Sequence, residues 1–352
     1  MNNQVKNEKG PESAQKVWDE MKLLFQSAVK DEKPVRVRAM QDLFESAIGM
    51  AEDNQGTLNL KIASTALKEL RLSFNMFYPH RFTPKITIFG SARVPEKTPL
   101  YEMAKEFAEE AVKHEFMIMT GGGPGIMAAG NEGAKAEGGF GLNILLPMEQ
   151  DANAFIDNEN MLLSYKYFFT RKLFMVKEAT AFAFFPGGFG TFDEAFEVLT
   201  LLQTGKMNMI PIVLVEPKGF DYWGRFMDFI ENALGKKGFI SPGDTDLFRI
   251  FHSSSEAVEH IVAFYKNFHS MRYVKDTLVL RLHQTPTAEV MKELNQKFRS
   301  ILVDGDFTVS EPLAQERNEP ELNQYPRVIG KFDRRDFGAL RRLIDFLNEN
   351  TV

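Results

Sequence analysis

The hydrophobic pattern of this chain changes period once, near residue 85. Before that point apolar residues recur at helical spacing in three groups: Val17, Met21, Leu24, Phe25 and Ala28; Met40, Leu43, Phe44, Ala47 and Ile48; Leu60, Ala63, Leu67, Leu70 and Phe74. The spacing predicts three amphipathic helices, separated by Pro34 and by Asn54-Gln55-Gly56 and closed by Pro79 and Pro84. Residues 1–84 therefore read as a helical extension with a packing or dimerising role and no visible chemistry. From Lys85 onward short apolar runs alternate with helical stretches. Strands are expected at 85–89, 116–119, 141–146, 180–185 and 209–215, with helices at 99–114, 126–137, 168–178, 191–204 and 254–268. Strands alternating with helices predict an α/β class, with a Rossmann-like parallel sheet covered on both faces, over residues 85–270. Residues 271–352 read as a small α+β module, with strands at 277–282, 307–310 and 327–332, helices at 287–301 and 334–348, and a solvent-exposed acidic loop at 311–324. Arg334, Arg335, Arg341 and Arg342 read there as a solvated helix face or as an anion receptor.

Composition narrows the function classes. The 352 residues carry a net charge of −6, and no basic stripe suited to a nucleic-acid backbone is visible. The chain has no cysteine, so disulfides and thiolate metal sites are excluded. The six histidines are scattered without ligand spacing. No run of about eighteen apolar residues occurs. These features predict a cytoplasmic protein with no membrane or nucleic-acid partner, no metal and no cofactor.

The chemistry gathers in loops at the expected carboxyl ends of strands, where open parallel sheets collect ligands. Residues 184–194 read F-F-P-G-G-F-G-T-F-D-E. Pro186 ends an apolar strand, Gly187, Gly188 and Gly190 permit a tight turn, and Thr191 opens a helix whose unpaired N–H groups and dipole favour a phosphate. Asp193 and Glu194 follow in the first helical turn, as dipole-satisfying charges or as site residues. A second loop holds Gly121, Gly122 and Gly123, and a third holds Gly90, Ser91 and Arg93. No loop gives the G-x-G-x-x-G pattern with a following acid that dinucleotides require, and none is followed by the G-K-S or G-K-T of a P-loop. A mononucleotide or a sugar phosphate fits better. Arg171 and Lys172 open an otherwise apolar helix at the end where its dipole favours acids, which reads either as two solvated charges or as a site.

Taken together, Gly121-Gly122-Gly123-Pro124-Gly125-Ile126-Met127, Arg171-Lys172 and Pro186-Gly187-Gly188-Phe189-Gly190-Thr191-Phe192-Asp193-Glu194 resemble the motifs of the LOG ("Lonely Guy") family, the cytokinin riboside 5'-monophosphate phosphoribohydrolases once labelled lysine decarboxylases. The resemblance covers about half of the chain. Residues 141–147 and 201–206 are similar to the longer bacterial members. Residues 148–155 depart from those members, which carry a His and a Pro-Asn-Pro-Tyr sequence there, and this leaves the base preference open. The resemblance implies hydrolysis of the N-glycosidic bond of a nucleoside 5'-monophosphate, such as AMP or a cytokinin precursor, to free base and ribose 5-phosphate, in a homodimer or larger assembly. It implies catalytic roles for Arg171 and Glu194. Gly90, Ser91, Arg93, Gly121, Gly122, Gly123, Met127, Lys172, Gly187, Gly188, Gly190 and Thr191 become the expected substrate-binding positions. Lysine decarboxylation finds no support, since a pyridoxal-phosphate enzyme needs a Schiff-base lysine and an acidic partner for the pyridine nitrogen. The alternative is a non-catalytic binder of a nucleotide or phosphorylated cofactor, resembling the molybdenum-cofactor carriers. Such a carrier has no need of both Arg171 and Glu194.

Overall fold

The computed structural model describes residues 16, 19–21, 23, 34–53, 56–146, 152–156, 161–316 and 319–350. Of the first expected helix, Met21 falls among these, whereas Val17, Leu24, Phe25 and Ala28 lie outside the described residues, as do 148–151 of the departing segment. The chain divides into a unit Met1–Thr65 and a unit Ala66–Val352. In the first, α1 (Pro34–Glu52) contains no buried residue. Next, α2 (Thr57–Phe77) begins in the first unit and ends in the second. Its buried stripe is rotated from the expected one. Glu69, Ser73 and Phe77 are buried, while Leu67 and Phe74 are 52% and 50% exposed. Phe77 sets this rotation by packing its ring 4.9 Å from Phe140 and 6.1 Å from Phe174, and the two polar residues find hydrogen-bond partners on the same side.

The second unit is built on a seven-stranded parallel sheet: β1 (Lys85–Phe89), β2 (Met117–Thr120), β3 (Gly139–Ile144), β4 (Leu162–Tyr165), β5 (Ala181–Phe184), β6 (Ile212–Val215) and β7 (Arg249–Phe251). The spatial order is β4-β3-β2-β1-β5-β6-β7. The chain winds outward from β1 to β4, then returns to place β5 against β1, with Ile86 opposite Ala181. That reversal opens a crevice at the carboxyl ends of β1 and β5.

Alternation along the strands explains why each reads as one apolar run. Ile86, Ile88, Ala181, Ala183, Val213 and Val215 line one face, and Phe89, Phe182, Phe184, Ile212 and Leu214 line the other. Small side chains on the first face let α3 (Pro99–Lys113), α4 (Ile126–Gly138) and α8 (Ser254–Phe264) approach closely. The phenylalanine face is covered by α5 (Phe168–Lys177), α6 (Phe189–Gln203) and α7 (Tyr222–Phe229). No helix among the described residues is long and apolar enough to cross a membrane.

The C-terminal elements form a separate antiparallel sheet of order β10-β11-β9-β8, from β8 (Phe268–Val274), β9 (Thr277–Leu282), β10 (Thr308–Ser310) and β11 (Arg327–Gly330), with α9 (Ala288–Phe298) and α10 (Phe337–Glu349). Its core is continuous with the phenylalanine face of the first sheet. Three expectations change here. Helix α8 stops at Phe264, and Phe268 opens a strand, because Asn348 of α10 accepts the N–H groups of Asn267 and Phe268 at 2.9 and 2.8 Å. The acidic loop is not wholly in solvent: Glu316 is buried between Arg281 (Nη2 to Oε1, 2.6 Å) and Arg327 (Nε to Oε2, 3.4 Å), an arrangement that satisfies a carboxylate out of water. Arg341, expected on a solvated face, is buried over the Phe264 ring, with its Nε donating to Asp345.

Candidate active site

Some helices of the second unit carry a side-chain cap and others do not. Helices α3, α8, α9 and α10 carry their own side-chain caps, from Thr98, Ser253, Thr287 and Asp336. Helices α4, α5 and α6 begin after Gly125, Tyr167 and Gly188 and have none. At α4 one orphan donor is used, since Ile126 N–H donates to Ser91 O at 3.1 Å. Helix α6 starts at Phe189, two residues earlier than expected, and its first intrahelical bond runs from Phe192 N–H to Gly188 O. The N–H groups of Phe189, Gly190 and Thr191 thus have no acceptor within the helix. Gly188 and Gly190 are exposed, and a Cβ built on either meets nothing within 4 Å. This end leaves its N–H groups open to an acceptor from outside the helix.

The other glycine loops close around it. Ser91 joins all three: its N–H donates to Pro186 O at 3.2 Å, its carbonyl accepts from Ile126, and its hydroxyl accepts from Arg93 N–H at 3.1 Å. Gly90 faces the Ile126 side chain, and the Arg93 side chain is exposed. In the β2 loop, Gly122 N–H donates to Thr120 Oγ1 at 3.0 Å, and Met127 lies over Gly121 and Gly123. Gly121 is the tightest point: a Cβ there would stand 2.7 Å from Arg171 Nη2 and 2.6 Å from Met127 Sδ. Only glycine lets the guanidinium lie against this loop.

Arg171 and Glu194 are both 8% exposed. Arg171 Nε is buried with no hydrogen-bond partner among the described residues. Burial lowers the guanidinium pKa, and the charge of Glu194 partly offsets this. Burial in turn raises the pKa of Glu194, against the opposing pull of Arg171 and then Lys172. Glu194 and Thr191 share the inward stripe of α6 with Ala195, Val198 and Leu202. The neighbouring charges sort differently. Lys172 Nζ lies 2.5 Å from Asp193 and 3.2 Å from Glu197, so its ammonium ties α5 to the outer side of α6. The buried pair has the character of an active site: a free guanidinium donor, a carboxyl group made more basic by desolvation, and an open helix N-terminus in one crevice.

Residues 127–261, which include Arg171, Lys172 and the whole Pro186 to Glu194 turn, match the protein family described as "Possible lysine decarboxylase". Among solved structures, the molybdenum cofactor carrier protein of Chlamydomonas reinhardtii matches at 20% identity and a TM-score of 0.37, covering 51% of this chain and 96% of that one. A cytokinin riboside 5'-monophosphate phosphoribohydrolase of Arabidopsis thaliana, LOG5, is 24% identical over 181 residues, 51% of this chain and 78% of its own. Another from the same plant, LOG2, is 27% identical over 158 residues, 45% of this chain and 72% of its own. Over this domain the chain is similar to the LOG phosphoribohydrolases.

Around this crevice the structure adds residues that the sequence motifs do not contain. Asn131, fully buried, accepts from Thr120 Oγ1 at 2.6 Å and from Asn153 Nδ2 at 3.0 Å, while Asn153 N–H donates to Gly122 O at 2.8 Å. The described part of the departing segment is therefore fastened to the β2 glycine loop. Asn131 was visible as the one amide in a run of Ala and Gly, but its partners lie on three other segments. Tyr222 donates from its hydroxyl to Gly187 O at 2.6 Å and braces the Pro186 to Glu194 turn from α7. Among the described residues no cluster of three or more His, Asp or Glu side chains suited to a metal is present.

The Pro186 to Glu194 turn makes a sharp packing prediction. A Cβ at Gly187 would stand 2.0 Å from Thr191 Oγ1 and 2.9 Å from Ser91 N. Gly187→Ala should destabilise the protein by about 1–3 kcal/mol through overpacking, whereas Gly188→Ala should leave the melting temperature unchanged. Thermal denaturation of the two variants checks the contrast, and equal melting temperatures would contradict it.

Proposed function

We propose that the protein hydrolyses the N-glycosidic bond of a nucleoside 5'-monophosphate, releasing the free base and ribose 5-phosphate. The observation that carries this reading is the buried Arg171–Glu194 pair beside the open N-terminus of α6. Its phosphate end is supplied by the N–H groups of Phe189, Gly190 and Thr191, with the Thr191 hydroxyl nearby. Arg171 holds the ribose hydroxyls with its planar fork, which also keeps its charge beside Glu194. As the C1'–N bond breaks, its electron pair leaves with the base and positive charge develops on the ribose ring. The Glu194 carboxylate stabilises that charge and takes a proton from the water that adds to C1', and this proton passes to the departing base, so that neutral base is released and the carboxylate is restored. The raised pKa makes Glu194 a better base than an exposed glutamate. The named activity of the Arabidopsis relatives supports the same reaction. A homodimer and a cytoplasmic location complete the reading, the first from the family resemblance and the second from the cysteine-free composition.

Binding energy from a remote phosphate serves to position the reacting bond, so a nucleoside should react at least about 10²-fold more slowly than its 5'-monophosphate. A panel of purine and pyrimidine nucleoside 5'-monophosphates, AMP and a cytokinin riboside 5'-monophosphate among them, assayed chromatographically for free base beside the matching nucleosides, tests both statements. Tight nucleotide binding with no release from any member would replace the enzyme with a binding module.

A further inference from the structure

Two side chains of α2 grip the connection between β4 and α5. Ser73 Oγ lies 2.7 Å from the Tyr165 hydroxyl at the end of β4. Four residues earlier on the same helix face, Glu69 accepts the N–H of Lys166 at 2.6 Å through one carboxylate oxygen and the Thr170 hydroxyl through the other. Glu69 is 6% exposed, and Ser73 and Thr170 are 0% and 1% exposed. A buried carboxylate is costly where only packing is needed, and an apolar residue would pack as well. Glu69 stands on either side of Tyr167, the N-cap of α5, which has no side-chain cap of its own. Glu69 therefore pins the connection on both sides of that N-cap without capping the helix, unlike Glu216, which accepts the Tyr222 and Trp223 N–H groups at the start of α7 at 2.7 and 3.1 Å.

Thr170 immediately precedes Arg171. Successive residues of a helix point about 100° apart, so a fixed direction for Thr170 fixes the direction in which Arg171 leaves α5. Tyr165, held by Ser73, lies within electrostatic reach of both Glu69 and Arg171. Arg171 in turn has little freedom, lying against Gly121 with its Nε unpaired. We infer that Glu69 is a positioning residue for Arg171: the extension helix sets the rotation of α5 and with it the aim of the guanidinium into the ribose site. The inference rests on the reading of that site as a nucleotide site.

Calorimetric titration of the full-length protein with ribose 5-phosphate, and separately with inorganic phosphate, decides it through a double-mutant cycle. Glu69→Ala should weaken ribose 5-phosphate binding and lower kcat/KM for base release by about tenfold or more, because small misplacements of a site group are costly. Inorganic phosphate, held at α6, should bind as to the wild type. Glu69→Ala combined with Arg171→Ala should bind ribose 5-phosphate within about twofold of Arg171→Ala alone, since residues acting as a unit are non-additive. Glu69→Gln, whose amide oxygen still accepts the Lys166 N–H, should recover most of the loss. Multiplying losses in the double variant, or a parallel fall in phosphate affinity, would show that Glu69 only supports the fold. Wild-type protein that binds ribose 5-phosphate but releases no base would sink the hydrolase reading, and the binding cycle would still decide the positioning role. Absence of ribose 5-phosphate binding overturns both.

Discussion

Glu194→Gln should lower kcat for base release by about 10²–10⁴-fold, the range for loss of a positioned general base, while ribose 5-phosphate still binds. The amide keeps the shape of the buried side chain and removes the charge that the ribose cation and the attacking water require. Calorimetry beside an initial-rate assay separates the two effects, and a variant that retains a tenth of wild-type kcat would remove Glu194 from the chemistry. The ionised form is the working form, and burial raises the pKa of this group. Wild-type activity should therefore fall on the acid side at a higher pH than an ordinary glutamate would dictate. The same shift has a consequence for stability. The folded state holds its proton to a higher pH than the unfolded chain does, so stability declines as pH rises from the unfolded value through the folded pKa. A permanently neutral glutamine escapes that decline. Glu194→Gln should thus melt at a higher temperature than wild type at neutral pH, with the gain vanishing below the pKa of an unfolded glutamate.

Replacing Arg171 should cost nearly as much. Arg171→Lys should lower kcat/KM by about 10²-fold, because a point ammonium cannot reproduce the planar fork that lies against Gly121. Arg171→Ala should cost more and should also move the acid limb of the residual rate. Arg171 pulls the pKa of Glu194 down against burial, so its removal leaves burial unopposed by the larger of the two nearby cations, and the limb shifts to still higher pH. A pH–rate profile of the alanine variant at high enzyme concentration reads this directly. An unmoved acid limb would show that the titrating group is not Glu194.

Much of the architecture was legible before any coordinates. Strands β1, β2, β3, β5 and β6 announce themselves because a parallel strand is buried on both faces and reads as an unbroken apolar run. Strands β4 and β7 escaped for the same reason in reverse. They lie at the two edges, span four and three residues, and retain partly exposed positions. The hairpin strand β8 was hidden because Phe268 continues the apolar pattern of α8, and what ends that helix is a distant amide, Asn348.

The candidate site divides along similar lines. Glycines after strands, a threonine opening a helix and an arginine at the wrong end of a dipole are local facts of geometry and charge, so they stand in the sequence whatever surrounds them. Which acid turns inward is decided by packing: α6 buries Glu194 on its inner stripe and leaves Asp193 outside to meet Lys172. Glu69 was invisible for a further reason. On an amphipathic helix a lone glutamate reads as solvent-facing, and only contact with Lys166 and Thr170, about a hundred residues away, supplies the donors that make its burial tolerable. Chain-local chemistry thus specifies the glycine-rich turn and the parallel sheet. The surroundings of Arg171, Glu194 and Glu69 come from segments remote in sequence, and that is why only the folded molecule fixes their places.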